Sequence, residues 1–411
     1  MESVVAVAGW VAVVVFAMYG YDVLVSLAGL WPLPRPQVSD HPTRFAIIVC
    51  AHDEARVVAG VVQSLRAQAY PAELVDVYVV ADNCTDDTAA VAAAAGAIVL
   101  ERRHPTERTK GFALQWGMDR VTERGPYDAV CVLDADNLAA PDFLATMRDY
   151  LADGHVAIQA YLDVKNPDDT WVTRCIALSY YLSNRTFMRA RTRLGLPATL
   201  GGTGFCLAWS IFERYRWDPG SLADDLELTM RLILARERVT FGWYTRTYDE
   251  KPTTLRVSFR QRARWMQGHN DVAARWAPRT AWAALRRPSL ACLDATLHLL
   301  QPIRLLLAFA ALVTLLVAWV VAPATRGVDG AFAFGVPAIA VAVGFFVVHP
   351  LVVAAAERRA RLYLAYAVPF MLYAFTWVPA VVLGLVRIRR RVWVHTAHGV
   401  TPAPPTSSST R

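Results

Sequence analysis

The chain has 411 residues, 55% of them hydrophobic, and a net charge of +7, with a mean hydropathy of +0.29. That is too apolar for an ordinary soluble enzyme of this length. The mild positive balance fits cytoplasmic loops of a membrane protein, and without a nucleic-acid-binding motif or basic-aromatic repeat it argues against a nucleic-acid partner.

Val4 to Leu30 carries one charge, Asp22, and exceeds the ~20 residues a membrane helix needs. It has no basic start and no A-x-A site, which argues against a cleaved signal peptide. The prolines of "WPLPRPQ" end it. Residues 1–31 are therefore expected to form an N-terminal transmembrane helix.

Residues 44–279 read as one globular unit. The β-rich runs "FAIIVC", "VDVYVVA", "AIVL", "AVCVLDAD" and "VAIQAYL" alternate with helical patterns at Ala55–Ala69, Asp86–Ala95 and Lys110–Glu123. Such alternation predicts an α/β domain, a mostly parallel sheet with helices on both faces. Ligands then bind at the carboxyl ends of the strands. The six cysteines, Cys50, Cys84, Cys131, Cys175, Cys206 and Cys292, form no C-x-x-C pair. This argues against a zinc site or disulfide framework and suits a reducing cytoplasm.

The strand ends carry the candidate chemistry. "VCAHDEARVV" follows the first strand and places Glu54 at a helix start. After the second, Asp82 and Asn83 are placed to hydrogen-bond a base or ribose, while Asp86 and Asp87 suit capping of the next helix. Lys110, beside Gly111, is either a phosphate or base contact or a surface lysine. In "AVCVLDADN", Asp134 and Asp136 are i and i+2 and share one face of a strand. They form either a site for a hard divalent cation with diphosphate oxygens or a solvated turn. "TLGGTGFCLAW" supplies Gly201, Gly202 and Gly204, which either allow close backbone approach to a ligand or form a simple turn. "SLADDLELTM" opens an amphipathic helix with Asp224 and Asp225, one of which suits a general base.

"QRARWMQGHN" lies on a predicted helix. Gln261, Arg264 and Trp265 share a face at i, i+3 and i+4. Arg262 points elsewhere and is expected at the surface or on lipid headgroups. A guanidinium fork suits phosphate oxygens, and an indole gives a wall for a sugar ring. Beyond it, residues 280–302 are expected to lie along the membrane interface. Three apolar runs follow, Ile303–Val321, Ala331–Ala356 and Leu362–Val386, then a basic segment and tail over 388–411. "ERRAR" and "RIRRR" both mark the cytoplasmic side, so Leu362–Val386 has basic ends on both sides and either re-enters or has one miscounted boundary.

Taken in order, Asp82, "DAD" at 134–136, "GGTG" at 201–204, "ADD" at 223–225 and "QRARW" at 261–265 resemble the membrane-embedded family 2 glycosyltransferases. That group includes cellulose, hyaluronan, chitin and poly-N-acetylglucosamine synthases. "WVHTAHG" at 393–399 is similar to their gating segment, with His395 in place of lysine. The sequence departs from the family in reading Asp224-Asp225 for Glu-Asp, and Arg262 at the second position of Q-x-x-R-W.

The resemblance implies a GT-A nucleotide-sugar domain in a multi-pass protein of the plasma (inner) membrane, with that domain cytoplasmic. It implies that Ala51, Glu54, Asp82, Lys110 and Asp134 hold the nucleotide of a donor, a UDP-sugar. Asp136 would ligate Mg²⁺ or Mn²⁺ on the diphosphate. Gly202, Thr203 and Gly204 would line the acceptor pocket. Gln261, Arg264 and Trp265 would hold diphosphate and acceptor sugar, and Asp225 would be the catalytic base. The expected reaction is inverting transfer to a growing β-linked polysaccharide. The alternative is transfer of one sugar to a lipid or lipid-linked acceptor, and a transporter or binding protein with a degenerate nucleotide fold would release no UDP.

Overall fold

The computed structural model describes residues 2–321 and 347–388. The apolar N-terminal stretch is a helix, α1 (Glu2–Leu27). Sheet and helix then alternate. The elements in chain order are β1 (Phe45–Ala51), α2 (Val58–Arg66), β2 (Val75–Asp82), α3 (Thr88–Ala94), β3 (Ile98–Arg102), α4 (Lys110–Thr122), β4 (Ala129–Asp134), β5 (Leu138–Ala139), α5 (Phe143–Ala152), β6 (Ala157–Val164), α6 (Trp171–Ser183), α7 (Ala190–Arg193), β7 (Phe205–Ala208), α8 (Trp209–Tyr215), α9 (Asp224–Leu234) and β8 (Val239–Asp249).

These strands form one eight-stranded sheet in the order β3-β2-β1-β4-β7-β6-β8-β5. β3, β2, β1 and β4 run parallel, as the strand–helix alternation predicts. The second half is mixed. β7 is antiparallel to both β4 and β6, and β5 is antiparallel to β8. The reason is local: the "GGTG" loop delivers β7 back beside β4 from the site end, so β7 must run the opposite way. β1 and β4 are almost wholly buried, and each sheet face has its own apolar core. One packs Val58, Val61 and Leu65 of α2 and Phe143 and Leu144 of α5. The other packs Leu114 and Met118 of α4, Leu178 of α6 and Leu228 of α9. This two-sided burial is what continuous apolar strands require.

A long helix, α10 (Leu255–Arg286), leaves the domain and is followed by α11 (Leu290–Leu299) and α12 (Gln301–Val321). Further along the chain come α13 (His349–Ala356), α14 (Ala360–Phe375) and α15 (Trp377–Val386). Among the described residues, Val13–Leu30 and Ala360–Val386 are long and apolar enough to cross a membrane. The pair α11–α12, bent by 58°, would make a third. The expected run Ala331–Ala356 falls largely outside the described residues, as do "WVHTAHG" and the tail.

α10 is gripped by backbone contact on two sides. A Cβ on Gly384 of α15 would lie 2.8 Å from the Gln267 nitrogen. A Cβ on Gly268 would lie 2.9 Å from the backbone just ahead of α9. Only glycine permits either approach, so the helix carrying "QRARW" is wedged between the sheet domain and the C-terminal helices. His269 and Asn270 are buried in this seam, with His269 Nε2 3.2 Å from the Leu299 carbonyl oxygen.

Candidate active site

The parallel strands β1, β2 and β4 end side by side, with Ala51 opposite Ala81 and Cys50 opposite Asp134. That register brings Ala51, Asp82 and Asp134 to one edge of the sheet. Asp82 is buried, and its Oδ1 accepts from Arg102 Nη1 at 2.7 Å and from Asn83 Nδ2 at 3.0 Å. Arg102 was not foreseen; the only trace in the sequence is a basic pair ending the "AIVL" strand. His52 bonds the Asp82 carbonyl at 2.7 Å, and the Glu54 N–H donates to Thr88 Oγ1 at 2.8 Å. Asp86, not Asp87, caps α3, accepting from Thr88 N at 3.0 Å. Asp87 makes no capping bond.

The "GGTG" loop hooks onto the end of β4. Thr203 Oγ1 accepts from Asp134 N at 2.9 Å and Asn137 Nδ2 at 3.0 Å, and Gly204 N donates to Val132 O at 2.8 Å. Lys110, the first residue of α4, crosses this junction. Its Nζ pairs with Asp134 and donates to Gly202 O at 2.6 Å. Burial pulls the Lys110 pKa down, but Asp134 and its neighbours outweigh burial and hold it above the usual lysine range.

The first turn of α9 completes the cluster. Trp217 Nε1 donates to Asp224 Oδ2 at 3.0 Å. The backbone of Gly111, beside Lys110, packs so closely on this carboxylate that a Cβ there would meet it at 2.6 Å. Asp225 stands over Gly202. Burial first, and the neighbouring Asp224 second, push the Asp225 carboxyl up to about 7. Asp224 is raised too, chiefly by burial, with Lys110 and Trp217 opposing. Arg264 of α10 lies within electrostatic reach of Asp134, Asp224 and Asp225. Gln261 and Trp265 are half-buried and share its face by spacing. Cys50 sits beneath, and burial pushes its thiol up to about 12, which removes it as a nucleophile.

Arg262 requires a correction. It was expected at the surface or on headgroups, but it is 1% exposed. Two residues from Arg264, it turns to the far side of α10, where α14 and α15 cover it.

The family model "Glycosyltransferase like family 2" matches residues 41–268, more than half of the chain and the whole of this cluster. The chain belongs to glycosyltransferase family 2.

Among curated relatives of this family 2 chain are a probable glycosyltransferase, YdaM, of Bacillus subtilis, 27% identical over 60% of this chain and 59% of its own length. An N-acetylglucosaminyltransferase of Rhizobium leguminosarum is 26% identical over 54% of this chain and 55% of its own. A beta-monoglucosyldiacylglycerol synthase of Synechocystis is 28% identical over 57% and 48%. The chain thus spans about half the length of these relatives. A solved mannosyltransferase from Pyrobaculum calidifontis, in complex with GDP-Man and Mn²⁺, superposes with a TM-score of 0.61 at 19% identity. It covers 93% of this chain and 99% of its own. The fold is the GT-A type.

The cluster offers oxygen donors to a divalent cation. Asp136 is buried in the β4–β5 turn. β8 pairs with β5 beside it and ends in Asp249, an acid the sequence reading missed because "TRTYDEK" has no paired spacing. Asp249 Oδ2 is held by Lys251, while Oδ1 is buried without a hydrogen-bond partner among the described residues. Its pKa is raised, first by burial, and Asp134 is close enough to raise it further. Carboxylate oxygens are the donors that Mg²⁺ and Mn²⁺ prefer. Among the described residues, the group whose ligand atoms lie within 4.8 Å of one another is Asp53, Cys84 and Asp86. Their carboxylates are already bonded to Thr85, Thr88 and Ala55, tying the β1 and β2 loops together.

Proposed function

We propose that this chain is a membrane-bound inverting glycosyltransferase that moves a sugar from a nucleoside-diphosphate-sugar donor to the hydroxyl of a membrane-held acceptor. The observation that carries the reading is the carboxyl of Asp225. It is poised near neutrality, faces the Gly202 backbone, and is reached electrostatically by Arg264 and Lys110. A base is most effective when its pKa lies near the working pH.

Asp225 takes the proton from the acceptor hydroxyl as that oxygen attacks the anomeric carbon. Configuration inverts, so an α-linked donor gives a β-linked product. Ala51, Glu54 and Asp82 hold the nucleoside, with Asp134 and Lys110 at its phosphates. Asp136 would hold Mg²⁺ or Mn²⁺, which would supply positive charge to the diphosphate. Arg264 stabilises the departing diphosphate, and Gln261 and Trp265 orient donor and acceptor sugar. Gly202, Thr203 and Gly204 let the acceptor approach the backbone.

In this reading the domain lies on the cytoplasmic face of the plasma membrane, with α1 and the C-terminal helices as anchors. Supporting this, α10 carries the "QRARW" face and makes backbone contact with α15, part of a candidate span. A growing β-linked polysaccharide is the acceptor that the Q-x-x-R-W signature favours. A lipid acceptor taking one sugar is favoured by the likeness to a beta-monoglucosyldiacylglycerol synthase. The test is a screen of UDP- and GDP-sugars in membranes with Mg²⁺ or Mn²⁺, reading nucleotide release, with labelled product run on a gel. A ladder supports the polymer, and a single lipid-extractable band supports single transfer. No nucleotide release with any donor refutes both.

A further inference from the structure

Arg262 is the largest fully buried side chain among the described residues, 1% exposed. Its guanidinium carbon lies 4.2 Å from the ring centre of Tyr373 and 5.0 Å from that of Trp377. Its Nε makes a long bond of 3.4 Å to Ser258 O. Nη1 and Nη2 have no hydrogen-bond partner among the described residues, and no carboxylate there pairs with it. A permanent charge buried without an anion is costly, and two aromatic faces supply only part of what four N–H groups lose.

The same seam contains an apolar groove of about 800 Å³. It is lined by Phe259 of α10, Phe309 of α12, Phe375 beside the α14–α15 break, and Val378, Val382 and Val386 of α15. Phe259 lies one helical turn before Arg262, and Phe375 and Val378 bracket Trp377. The groove therefore abuts the aromatic cover of the cation on the side of α10 opposite the catalytic face, although Arg262 itself does not line it. An anion is the partner that would offset both the charge and the unmade hydrogen bonds. The rest of the chain, residues 322–346 and 389–411, contains one acidic side chain, Asp329.

We propose that Arg262 and this groove bind one anionic phospholipid, with Trp377 turned aside so that the phosphate meets the guanidinium fork while one acyl chain lies in the groove. The site rests on the membrane association proposed above. The bound lipid holds α10 in register from behind and so positions Gln261, Arg264 and Trp265. A guanidinium matches phosphate oxygens in two-point geometry, and the surrounding helices supply the apolar half of the ligand.

The test uses the full chain, purified in mild detergent and offered phosphatidylglycerol or phosphatidylcholine, with bound lipid counted by native mass spectrometry. The wild type should retain one phosphatidylglycerol in preference to phosphatidylcholine. Arg262→Gln should weaken that retention about tenfold, the loss of one charged hydrogen-bonded contact. Val382→Trp, which fills the groove and leaves the cation, should weaken it likewise, and Arg262→Lys should keep part of it. Circular dichroism checks that each variant is folded. Equal retention of both lipids by the wild type, or undiminished retention by folded Arg262→Gln, overturns the site. So does an equal effect from Asp329→Asn, which would make Asp329 the partner. Flotation with phosphatidylcholine liposomes tests membrane association separately: a chain that does not float refutes that reading, whereas one that floats without lipid preference refutes only the site.

Discussion

The carboxylate oxygen Oδ2 of Asp225 lies 3.2 Å from where a side chain on Gly202 would begin. Gly202 also has a φ of +77°, a conformation that costs other residues ~1 kcal/mol or more. The "GGTG" loop thus packs against Asp225, the proposed base. Gly202→Ala should lower kcat by roughly tenfold, by crowding and turning Asp225, with a loss of stability of ~1–2 kcal/mol. Donor affinity should change less than kcat; steady-state kinetics separates the two.

The raised carboxyl of Asp225 fixes a pH dependence. The base acts only when ionised, so kcat should rise with pH and level off above about 7. Below that value it should fall about tenfold per pH unit. Lys110 holds the Asp225 pKa down by its charge, so Lys110→Met should move this limb to higher pH as well as weaken donor binding. A limb that does not move would separate Lys110 from the base.

Chelation with EDTA should abolish transfer, and Mg²⁺ or Mn²⁺ should restore it. Asp136→Asn should require a markedly higher metal concentration for the same rate, because one charged ligand is lost. Asp53→Asn should leave the metal requirement unchanged, since that side chain serves Thr85. A titration of activity against Mn²⁺ for the three proteins checks this.

Gly384 meets the backbone of Met266 and Gln267. Gly384→Leu should push α15 off α10, at a cost of ~1–3 kcal/mol. Because Arg264 and Trp265 immediately precede the contact, activity should fall along with the melting temperature. A variant that melts lower but transfers at the normal rate would show that α15 does not position α10.

The sequence made the first half of the sheet legible because parallel strands buried on both faces read as continuous apolar runs, and β1, β2 and β4 are of that kind. Their ends therefore located Asp82, Asp134 and Asp136. The "QRARW" helix was legible from its spacing. The second half was harder. β7 is four residues long behind a glycine loop, and β8 mixes polar and apolar residues because part of it is half-exposed, so neither shows a clean period. Asp249 was hidden for the same reason. Arg262 was misplaced because an arginine beside a membrane segment ordinarily seeks headgroups. Only the packing of Tyr373 and Trp377, more than a hundred positions away in sequence, reveals that it is covered. Gly268 and Gly384 carry no local signal, since a close helix contact depends on the partner's backbone.

The central claim is that Asp225 removes the acceptor proton. Asp225→Asn is the most direct measurement, with transfer followed by nucleotide release and donor affinity by calorimetry on the same preparation. A loss of about 10²-fold or more in kcat, with donor affinity within a few-fold of wild type, is the result predicted. Normal turnover in the folded variant would contradict the assignment.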